Sequence, residues 1–382
     1  MADNLPVVWP AEPHTCAKHA ILERYLKAWF PILSQQSYRA QRRTEQILFI
    51  DGFAGPGEYT KGQPGSPVIA LTAALQHTKP FPVPIQFLFI EEREDRFAQL
   101  ESVLTRYREQ IQQSGKIQLV SPRRGDCDTV LSEMLNQHEK AGTHFGPALA
   151  FLDQFGYSAV PMQLIARILA FPQCEVFSYL DYKGMNRWIT DPYKAPSFDR
   201  AFGGSEWRGA INLPESERRI YLLNTYKEAL RERAKAKYVC SFSMFDKFGG
   251  PLYWLIFGTN NLRGLEEMKK AMWQVDANGG FQFSDEDSPG QLRLLDEKFD
   301  ETWLAEQLAN NLAERTMTAA QIKEYVLVTT PCYLFKGALQ SLELGRERVI
   351  RVMKAPAKRK PGTYPDKQLE SISLRFGKAL LF

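Results

Sequence analysis

The chain has 382 residues, of which 44% are apolar and 24% are charged, and its formal net charge is +4 at pH 7. These values are typical of a soluble globular protein that is long enough for one large domain and a smaller one. No apolar run approaches the ~20 residues needed to span a bilayer. The N-terminus also lacks the basic start and apolar core of a signal peptide. We therefore expect a cytoplasmic protein without a membrane partner.

The cysteines give no sign of a metal or disulfide framework. There are five, scattered along the chain, and no two of them form a C-x-x-C pair. An odd count without local pairs argues against structural disulfides and against a local zinc or iron–sulfur motif. We predict no metal site.

Helices and strands alternate through the first half of the chain. Apolar residues at helical spacing predict a first helix over residues 19–33. Strands are predicted at 46–51, 85–91, 116–121, 148–153 and 174–180, with helices at 66–75, 93–113 and 161–170 between them. This alternation predicts a doubly wound α/β sheet.

A glycine-rich turn follows the first strand. The apolar run 47–50 ends in Asp51 and then Gly52-Phe53-Ala54-Gly55-Pro56-Gly57, as a buried parallel strand does when it delivers a cofactor loop. Side chains at Gly55 and Gly57 would keep a ligand from the backbone, and glycine tolerates positive φ. The spacing D-x-F-x-G-x-G resembles the first motif of S-adenosylmethionine (SAM)-dependent methyltransferases. The alternative is a tight turn after a core strand.

Carboxylates recur at the ends of the first four strands. Asp51 would face the methionine end of the cofactor. Glu91 or its neighbour Glu92 would accept hydrogen bonds from both ribose hydroxyls, and Asp126 would accept one from the adenine amino group. Asp153 would lie beside the transferred methyl group. Each acid alone could instead cap the next helix. Their recurrence at four successive strand ends favours a cofactor site.

The second half of the chain is organised differently. Residues 186–235 are predicted to form a helical insertion, followed by a hairpin of strands 238–245 and 252–259 and a helix over 265–273. The predicted domains are a methyltransferase-like α/β domain over 1–285, a linker and connecting helix over 286–315, and a winged-helix-like domain over 316–382. The last assignment rests on predicted helices at 318–325 and 334–344, a strand at 348–352 and a tip at 355–362.

The basic residues are concentrated at the C-terminal end. From residue 336 onward there are eleven Lys/Arg and four Asp/Glu, a net charge of +7. We predict that Lys354, Lys358, Arg359 and Lys360 contact phosphates of a nucleic acid, DNA or RNA. The alternative is a solvated charged loop.

Several motifs together resemble the three-Cys-motif partner (TcmP) family. They are His14-Thr15 with Lys18-His19, Ile50 to Gly57, Gly65-Ser66-Pro67, Asp153 to Tyr157, Gly264 to Lys269 and Met272-Trp273. The resemblance spans most of the chain and implies a class I methyltransferase-like Rossmann fold that binds SAM. It also implies a partner protein with a three-cysteine, radical-SAM-like motif. Lys18 would reach the cofactor carboxylate, although a solvated lysine is the commoner case.

One position departs from the family pattern. The family has D-P-F-G or D-P-Y-G after the fourth strand, whereas this chain has Asp153-Gln154-Phe155-Gly156-Tyr157. In base amino-methyltransferases the acid or amide holds the target amine and the aromatic residue stacks on the flipped base. The resemblance thus implies catalytic roles for Asp153 and Phe155, with Tyr157 nearby. Gln154 does not lock the turn as proline would, which weakens the prediction of catalysis more than that of cofactor binding.

The leading hypothesis is a SAM-dependent methyltransferase-like enzyme that acts on an amino group of a nucleic-acid base. A second hypothesis is a non-catalytic nucleic-acid-binding protein that regulates or recruits the three-cysteine protein. A third is a metal-dependent nuclease that uses the clustered acids.

Overall fold

The computed structural model describes residues 6–40, 47–143, 146–276, 282–284, 299–346 and 349–378. These residues fall into two compact units. The first lies within Met1–Ala271 and Phe283–Pro289, and the second within Met272–Gln282 and Gly290–Phe382. The boundary predicted at 285–286 lies outside the described residues, so the predicted domain boundaries stay a prediction.

Strands and helices alternate in the first unit as the sequence predicts, but the sequence missed the helix Cys127–Ala141 and the strand Gln282–Ser284. It also predicted one helix over 93–113 where there are two. The strands are β1 (Ile47–Asp51), β2 (Ile85–Glu91), β3 (Ile117–Arg124), β4 (Ala148–Leu152), β5 (Cys174–Leu180), β6 (Tyr238–Phe245), β7 (Pro251–Thr259) and β8 (Gln282–Ser284). The helices are α1 (Pro13–Arg39), α2 (Ser66–Leu75), α3 (Glu94–Thr105), α4 (Arg108–Ser114), α5 (Cys127–Ala141), α6 (Met162–Ala170), α7 (Tyr182–Trp188), α8 (Ala195–Phe202), α9 (Glu215–Glu232) and α10 (Leu262–Trp273).

The strands form one sheet in the order β3-β2-β1-β4-β5-β7-β6-β8. The first five strands are parallel, and β7 is antiparallel to both β5 and β6. Every residue of β1 and β4 is buried, because helices cover both faces of such a sheet. The doubly wound sheet is thus confirmed. Its strand order reverses between β1 and β4, the position where ligands of open α/β sheets bind.

A buried carboxylate fixes helix α1 on the sheet. Glu175 of β5 accepts hydrogen bonds from Tyr25 Oη at 2.5 Å, Trp29 Nε1 at 2.7 Å and Thr259 Oγ1 at 2.6 Å. Burial raises the pKa of Glu175, and these three donors partly offset that rise. Because three donors on two elements share one acceptor, α1 has a defined position above the sheet, and its N-terminal half reaches the end of β4.

The inserted helices belong to the hydrophobic core of this unit. Trp207 stacks on Phe198 with ring centroids 4.5 Å apart, and its Nε1 donates to Asp199 at 2.8 Å. Both rings are fully buried. These aromatic residues therefore pack the insertion and do not face a ligand.

The second unit consists of helices around a small sheet. Its helices are α11 (Glu301–Asn311), α12 (Ala319–Thr329) and α13 (Lys336–Leu344), and its strands are β9 (Thr316–Thr318), β10 (Ile350–Lys354) and β11 (Ser373–Phe376). The strands are antiparallel in the order β10-β11-β9. Leu304 and Leu308 of α11 are completely buried in the core of this unit. The sequence predicted α12, α13 and β10, but missed β9 and β11, which are only three and four residues long.

Within the residues that the structure describes, no helix combines the length and hydropathy that a membrane span requires.

Candidate cofactor and acceptor site

The turn after β1 is held open by hydrogen bonds to both neighbouring strands. The amide of Gly52 donates to the Phe151 carbonyl at 2.9 Å, and the amide of Ala54 donates to the Ile90 carbonyl at 2.8 Å. Gly55 and Gly57 have φ angles of +60° and +83°, which L-residues with a Cβ adopt only with strain. The turn is therefore a rigid backbone wall at the switch point of the sheet.

Two cavities lie on either side of this turn. The first, of about 230 Å³, is lined by the turn, by Lys18 of α1 and by residues 153–156 after β4. The second, of about 270 Å³, is lined by the ends of β2 and β3, including Glu91 and Asp126. Phe53 and Phe155 line both cavities. The two spaces together follow the carboxyl ends of β1 to β4, as the sequence predicts for a cofactor site.

The end of β4 carries an ion pair that the sequence did not predict. Lys18 Nζ donates to Asp153 Oδ2, and the Lys18 side chain is only 9% exposed. Lys18 also lies 5.9 Å from the centre of the Tyr179 ring. The alternative that Lys18 is solvated is therefore wrong, because helix α1 places this side chain in the wall of the first cavity.

The side chain of Gln154 makes two hydrogen bonds that hold the turn in which the family has a proline. Its Nε2 donates to the Tyr179 carbonyl at 3.1 Å, and its Oε1 accepts from the Val160 amide at 3.0 Å. The side chain is 3% exposed. The loop after β4 is thus tied to β5 and to its own far end, so the predicted loosening of the turn is not observed.

The structure separates Glu91 from Glu92. Both glutamates line the second cavity, but Glu91 is buried in its wall whereas Glu92 is exposed. Glu91 Oε1 accepts from the Arg93 amide at 2.8 Å. Burial raises the pKa of Glu91, and the amide of Arg93 and the charge of Arg96 partly oppose that rise. Glu91 is the candidate ribose ligand.

Asp126 has the helix-capping role that was the alternative to cofactor binding. Its Oδ1 accepts from the amide and the hydroxyl of Thr129, both at 2.9 Å, at the start of α5. It also lines the second cavity. Capping and contact with a ligand amino group use different oxygens, so both roles fit the geometry.

Asp51 lies beneath the turn and lines neither cavity. Its side chain is completely buried, and its Oδ1 accepts from the Phe53 amide at 3.2 Å. Oδ2 has no hydrogen-bond partner among the described residues. Burial raises the pKa of Asp51 to about 7, although the Ser66 side chain and the Phe53 amide act to lower it. Asp51 therefore supports the turn, and the structure does not place its side chain in the space where the cofactor was predicted.

Phe155, the predicted stacking residue, lines both cavities. It is 67% exposed, and its ring makes an edge contact with Trp9 at 5.9 Å. The guanidinium of Arg96 lies 4.5 Å from the Trp9 ring centre and 5.5 Å from that of Phe155. The Trp9 carbonyl also accepts from the Thr60 amide at 3.1 Å. The residues around Trp9 thus form an aromatic rim over the site.

The sequence did not reveal Trp9, Arg96, Tyr59 or Tyr253 as site residues. Trp9, Tyr59 and Tyr253 line the first cavity, and Arg96 lines the second. An aromatic residue two positions after the last glycine of the turn was a usable signal for Tyr59. Nothing in the local sequence marked the other three, because they reach the site from distant parts of the chain.

Tyr157 is not part of the site. It is 8% exposed and packs against Phe198, with ring centroids 4.6 Å apart, in the core of the first unit. It lines neither cavity. The catalytic role predicted for Tyr157 is not supported, because the turn at Gly156 directs its ring towards the insertion.

The predicted basic tip of the second unit contains one residue that is already paired. Arg359 donates to Glu343 Oε1 at 3.0 Å and to Thr363 O at 2.8 Å, and its side chain is 4% exposed. Its guanidinium also lies 4.7 Å from the centre of the Tyr364 ring. Lys354, Lys358 and Lys360 are exposed. Arg359 is thus unavailable to phosphate and instead joins the tip to α13.

We expect Arg359→Gln to lower the free energy of unfolding by about 2 kcal/mol, because it leaves the Glu343 carboxylate, only 9% exposed, without its charged partner. Urea denaturation of the full-length protein measures this change. Lys358→Gln, at the adjacent exposed position, is the control and should alter stability by less than about 0.5 kcal/mol. Equal effects of the two substitutions would contradict a structural role for Arg359.

Among the described residues, no three His, Cys, Asp or Glu side chains are grouped closely enough to hold a metal ion.

No protein-family model matches this sequence, and neither does any curated protein. Solved structures with a similar fold include EvdMO1, with a TM-score of 0.29 and 12% identity over 64% of this chain and 43% of EvdMO1. A putative caffeoyl-CoA O-methyltransferase from Staphylococcus aureus has a TM-score of 0.27 and 13% identity over 60% of this chain and 82% of its own. A putative methyltransferase from Porphyromonas gingivalis W83 has a TM-score of 0.25 and 12% identity over 60% of this chain and 40% of its own.

The matched part is thus less than half of EvdMO1 and of the Porphyromonas protein. Since every TM-score is below 0.5, the fold assignment rests on the strands of the chain itself. Their order differs from the dinucleotide-binding order 3-2-1-4-5-6 by an antiparallel β7 between β5 and β6. Resemblance to the TcmP family stays a prediction. The first unit is a doubly wound α/β fold whose mostly parallel sheet has an antiparallel β7 between β5 and β6.

Proposed function

We propose that this protein binds SAM in the two joined cavities and transfers its methyl group to an amino group of a nucleic-acid base. The observation that supports this most is the placement of Glu91 and Asp153 in the two cavities, on either side of the rigid glycine turn. A dinucleotide site would need the G-x-G-x-x-G spacing, which this turn lacks.

The described residues fit the cofactor. Glu91 would accept from the ribose hydroxyls, and Asp126 would accept from the adenine amino group. The backbone at Gly55 and Gly57 is open to the first cavity, where the methionine part would lie and Lys18 would hold its carboxylate. When bound, SAM supplies a methyl group activated by the positively charged sulfur.

The acceptor would meet this methyl group beside Asp153 and Phe155. A base amine is a poor nucleophile because its lone pair is delocalised into the ring. Asp153 Oδ1 accepts no hydrogen bond among the described residues, and could accept one from the amine and align it. The exposed face of Phe155 would stack on the flipped base.

Lys18 occupies the other oxygen of Asp153 and therefore limits this role. A lysine that moves to the cofactor carboxylate would leave both oxygens of Asp153 for the amine. On this proposal the acceptor site becomes complete only when the cofactor is bound.

The polymer would be held by the second unit. Its element order, helix–strand–helix–helix–strand–strand, with a three-stranded antiparallel sheet, supports the predicted winged helix. Lys354, Lys358 and Lys360 extend from it into solvent and would bind phosphates without regard to sequence.

Transfer of a labelled methyl group from SAM to DNA and RNA tests the enzymatic proposal. We expect Asp153→Asn to slow transfer about 100-fold, because the amine loses its charged acceptor, while S-adenosylhomocysteine affinity changes only a few-fold. Tyr157→Phe is the matched control and should leave transfer unchanged, since its hydroxyl is outside the cavity. Full transfer by Asp153→Asn would refute the proposed acceptor role.

The second candidate function is a non-catalytic partner of a three-cysteine, radical-SAM-like protein. The Lys18–Asp153 ion pair favours it, because an occupied Asp153 cannot hold an amine with both oxygens. Binding of S-adenosylhomocysteine and nucleic acid without any methyl transfer would support this alternative. The nuclease hypothesis is tested by metal-dependent cleavage in the same samples.

A further inference from the structure

The open face of the small sheet in the second unit carries an unusual pair of cations. Arg351 of β10 lies directly opposite Arg375 of β11, and both are exposed. Side chains in such a pair are about 5 Å apart at Cβ, and like charges placed there are destabilising. Neither arginine has an acidic partner among the described residues.

A β-bulge adds a third cation to this face. The register pairs Val352 with Leu374, but then pairs Lys354 with Ser373 after skipping one residue. Leu374 is buried in the core, so Ser373 lies on the opposite, open face with Arg375. The extra residue therefore rotates Lys354 onto the same face as the two arginines, since alternation without it would turn Lys354 inward.

Hydroxyl groups and the exposed Met353 lie beside these cations. Thr316 of β9 pairs with Arg375 and is exposed, and Ser373 lies beside Lys354. Strands β9, β10 and β11 contain no Asp or Glu. Donors without any acceptor carboxylate are the arrangement that binds phosphate oxygens.

The exposed side of helix α13 lacks this character. Its exposed residues are Gln340, Ser341 and Leu344, and Lys336 pairs with Asp366 at 2.9 Å. The one cation of α13 is thus paired, whereas Arg351, Arg375 and Lys354 of the sheet have no carboxylate partner among the described residues.

We propose that the open sheet face, formed by Arg351, Arg375 and Lys354 with Thr316 and Ser373, binds the phosphodiester backbone of a nucleic acid. This rests on the proposed function in that the polymer is the methyl acceptor. An anion above Arg351 and Arg375 relieves their repulsion, which explains why two arginines are placed side by side.

The test is fluorescence anisotropy of labelled 20-nucleotide single- and double-stranded DNA and RNA with the full-length protein. We expect Arg351→Gln/Arg375→Gln to weaken binding of the preferred probe by about 10-fold or more in 100 mM salt. The slope of log Kd against log salt should fall by about two, one for each cation removed. Arg108→Gln/Lys140→Gln removes the same charge from exposed positions of the first unit and should have a clearly smaller effect.

Equal effects of the two double variants, or wild-type binding to none of the four probes, would overturn the proposal. So would binding to phosphatidylserine vesicles in place of oligonucleotides. S-adenosylhomocysteine affinity, measured on the same samples by calorimetry, should be equal in wild type and Arg351→Gln/Arg375→Gln. If Arg351→Gln/Arg375→Gln binds both the cofactor analogue and the oligonucleotides as wild type does, only the role of the sheet face is rejected. If wild type does not bind the cofactor analogue, the proposed function is rejected.

Discussion

The stability of Asp51→Asn relative to wild type is expected to increase as pH rises. Burial raises the pKa of Asp51 to about 7 in the folded protein, against 3.8 for an ordinary aspartate. The folded state therefore binds a proton between about pH 4 and pH 7 that the unfolded state has released. Wild type loses stability as pH rises through this window, by about 4 kcal/mol at 1.4 kcal/mol per pH unit.

The variant cannot ionise at this position, so the difference in unfolding free energy, variant minus wild type, should increase by about 4 kcal/mol from pH 4 to pH 8. Urea denaturation at several pH values measures it. Glu92→Gln, which removes an exposed carboxylate, is the control and should stay within about 0.5 kcal/mol of wild type throughout. A pH-independent difference for Asp51→Asn would show that Asp51 is already ionised in the folded protein.

Glu91→Gln is expected to weaken S-adenosylhomocysteine binding by more than 100-fold. Two hydrogen bonds to a charged acceptor contribute about 3 kcal/mol together, and the amide of glutamine can accept at only one atom. Because burial already disfavours the Glu91 carboxylate, removing its charge should not lower the stability of the free protein. Titration calorimetry with a parallel thermal denaturation separates loss of binding from loss of folding.

Glu92→Gln is the matched control for this experiment, since it makes the same change at the exposed neighbour, which lines the same cavity. We expect its affinity to stay within threefold of wild type. A larger loss of affinity in Glu92→Gln than in Glu91→Gln would show that Glu92, and not Glu91, binds the ribose. No binding by wild type would remove the basis for methyl transfer and leave the partner hypothesis.

Asp51 and Glu91 lie in different parts of the same candidate site. Asp51 keeps the glycine turn in place from below, and its burial raises the pKa of its carboxyl group. Glu91 lines the second cavity. A rigid turn between two cavities can position a cofactor with little reorganisation.

The sheet was readable from the sequence because its strands are continuous apolar runs. Every residue of β1 is apolar except its terminal Asp51, and the strand ends within one residue of its predicted bounds. Burial on both faces requires such runs, and their short length and β-branched and aromatic residues favour strands over buried helices. The glycine turn was equally readable, since the positive φ angles at Gly55 and Gly57 require glycine.

The partners of charged and aromatic side chains were decided by the tertiary structure. Lys18 meets Asp153 across 135 residues, and Arg359 meets Glu343 only because the tip folds back on α13. Neither pairing leaves a local pattern. The same holds for Tyr157, which the family motif placed in the site and the packing of the insertion placed in the core.

The sequence by itself thus determined the layers of the fold and the strand ends at which a ligand would bind, because burial and backbone conformation act on neighbouring residues. Only the tertiary structure decided which acids remain available to a ligand. Ion pairs and hydrogen bonds form between groups that are close in space and distant along the chain, so Glu91 faces a cavity while Asp51 supports a turn and Arg359 supports a tip.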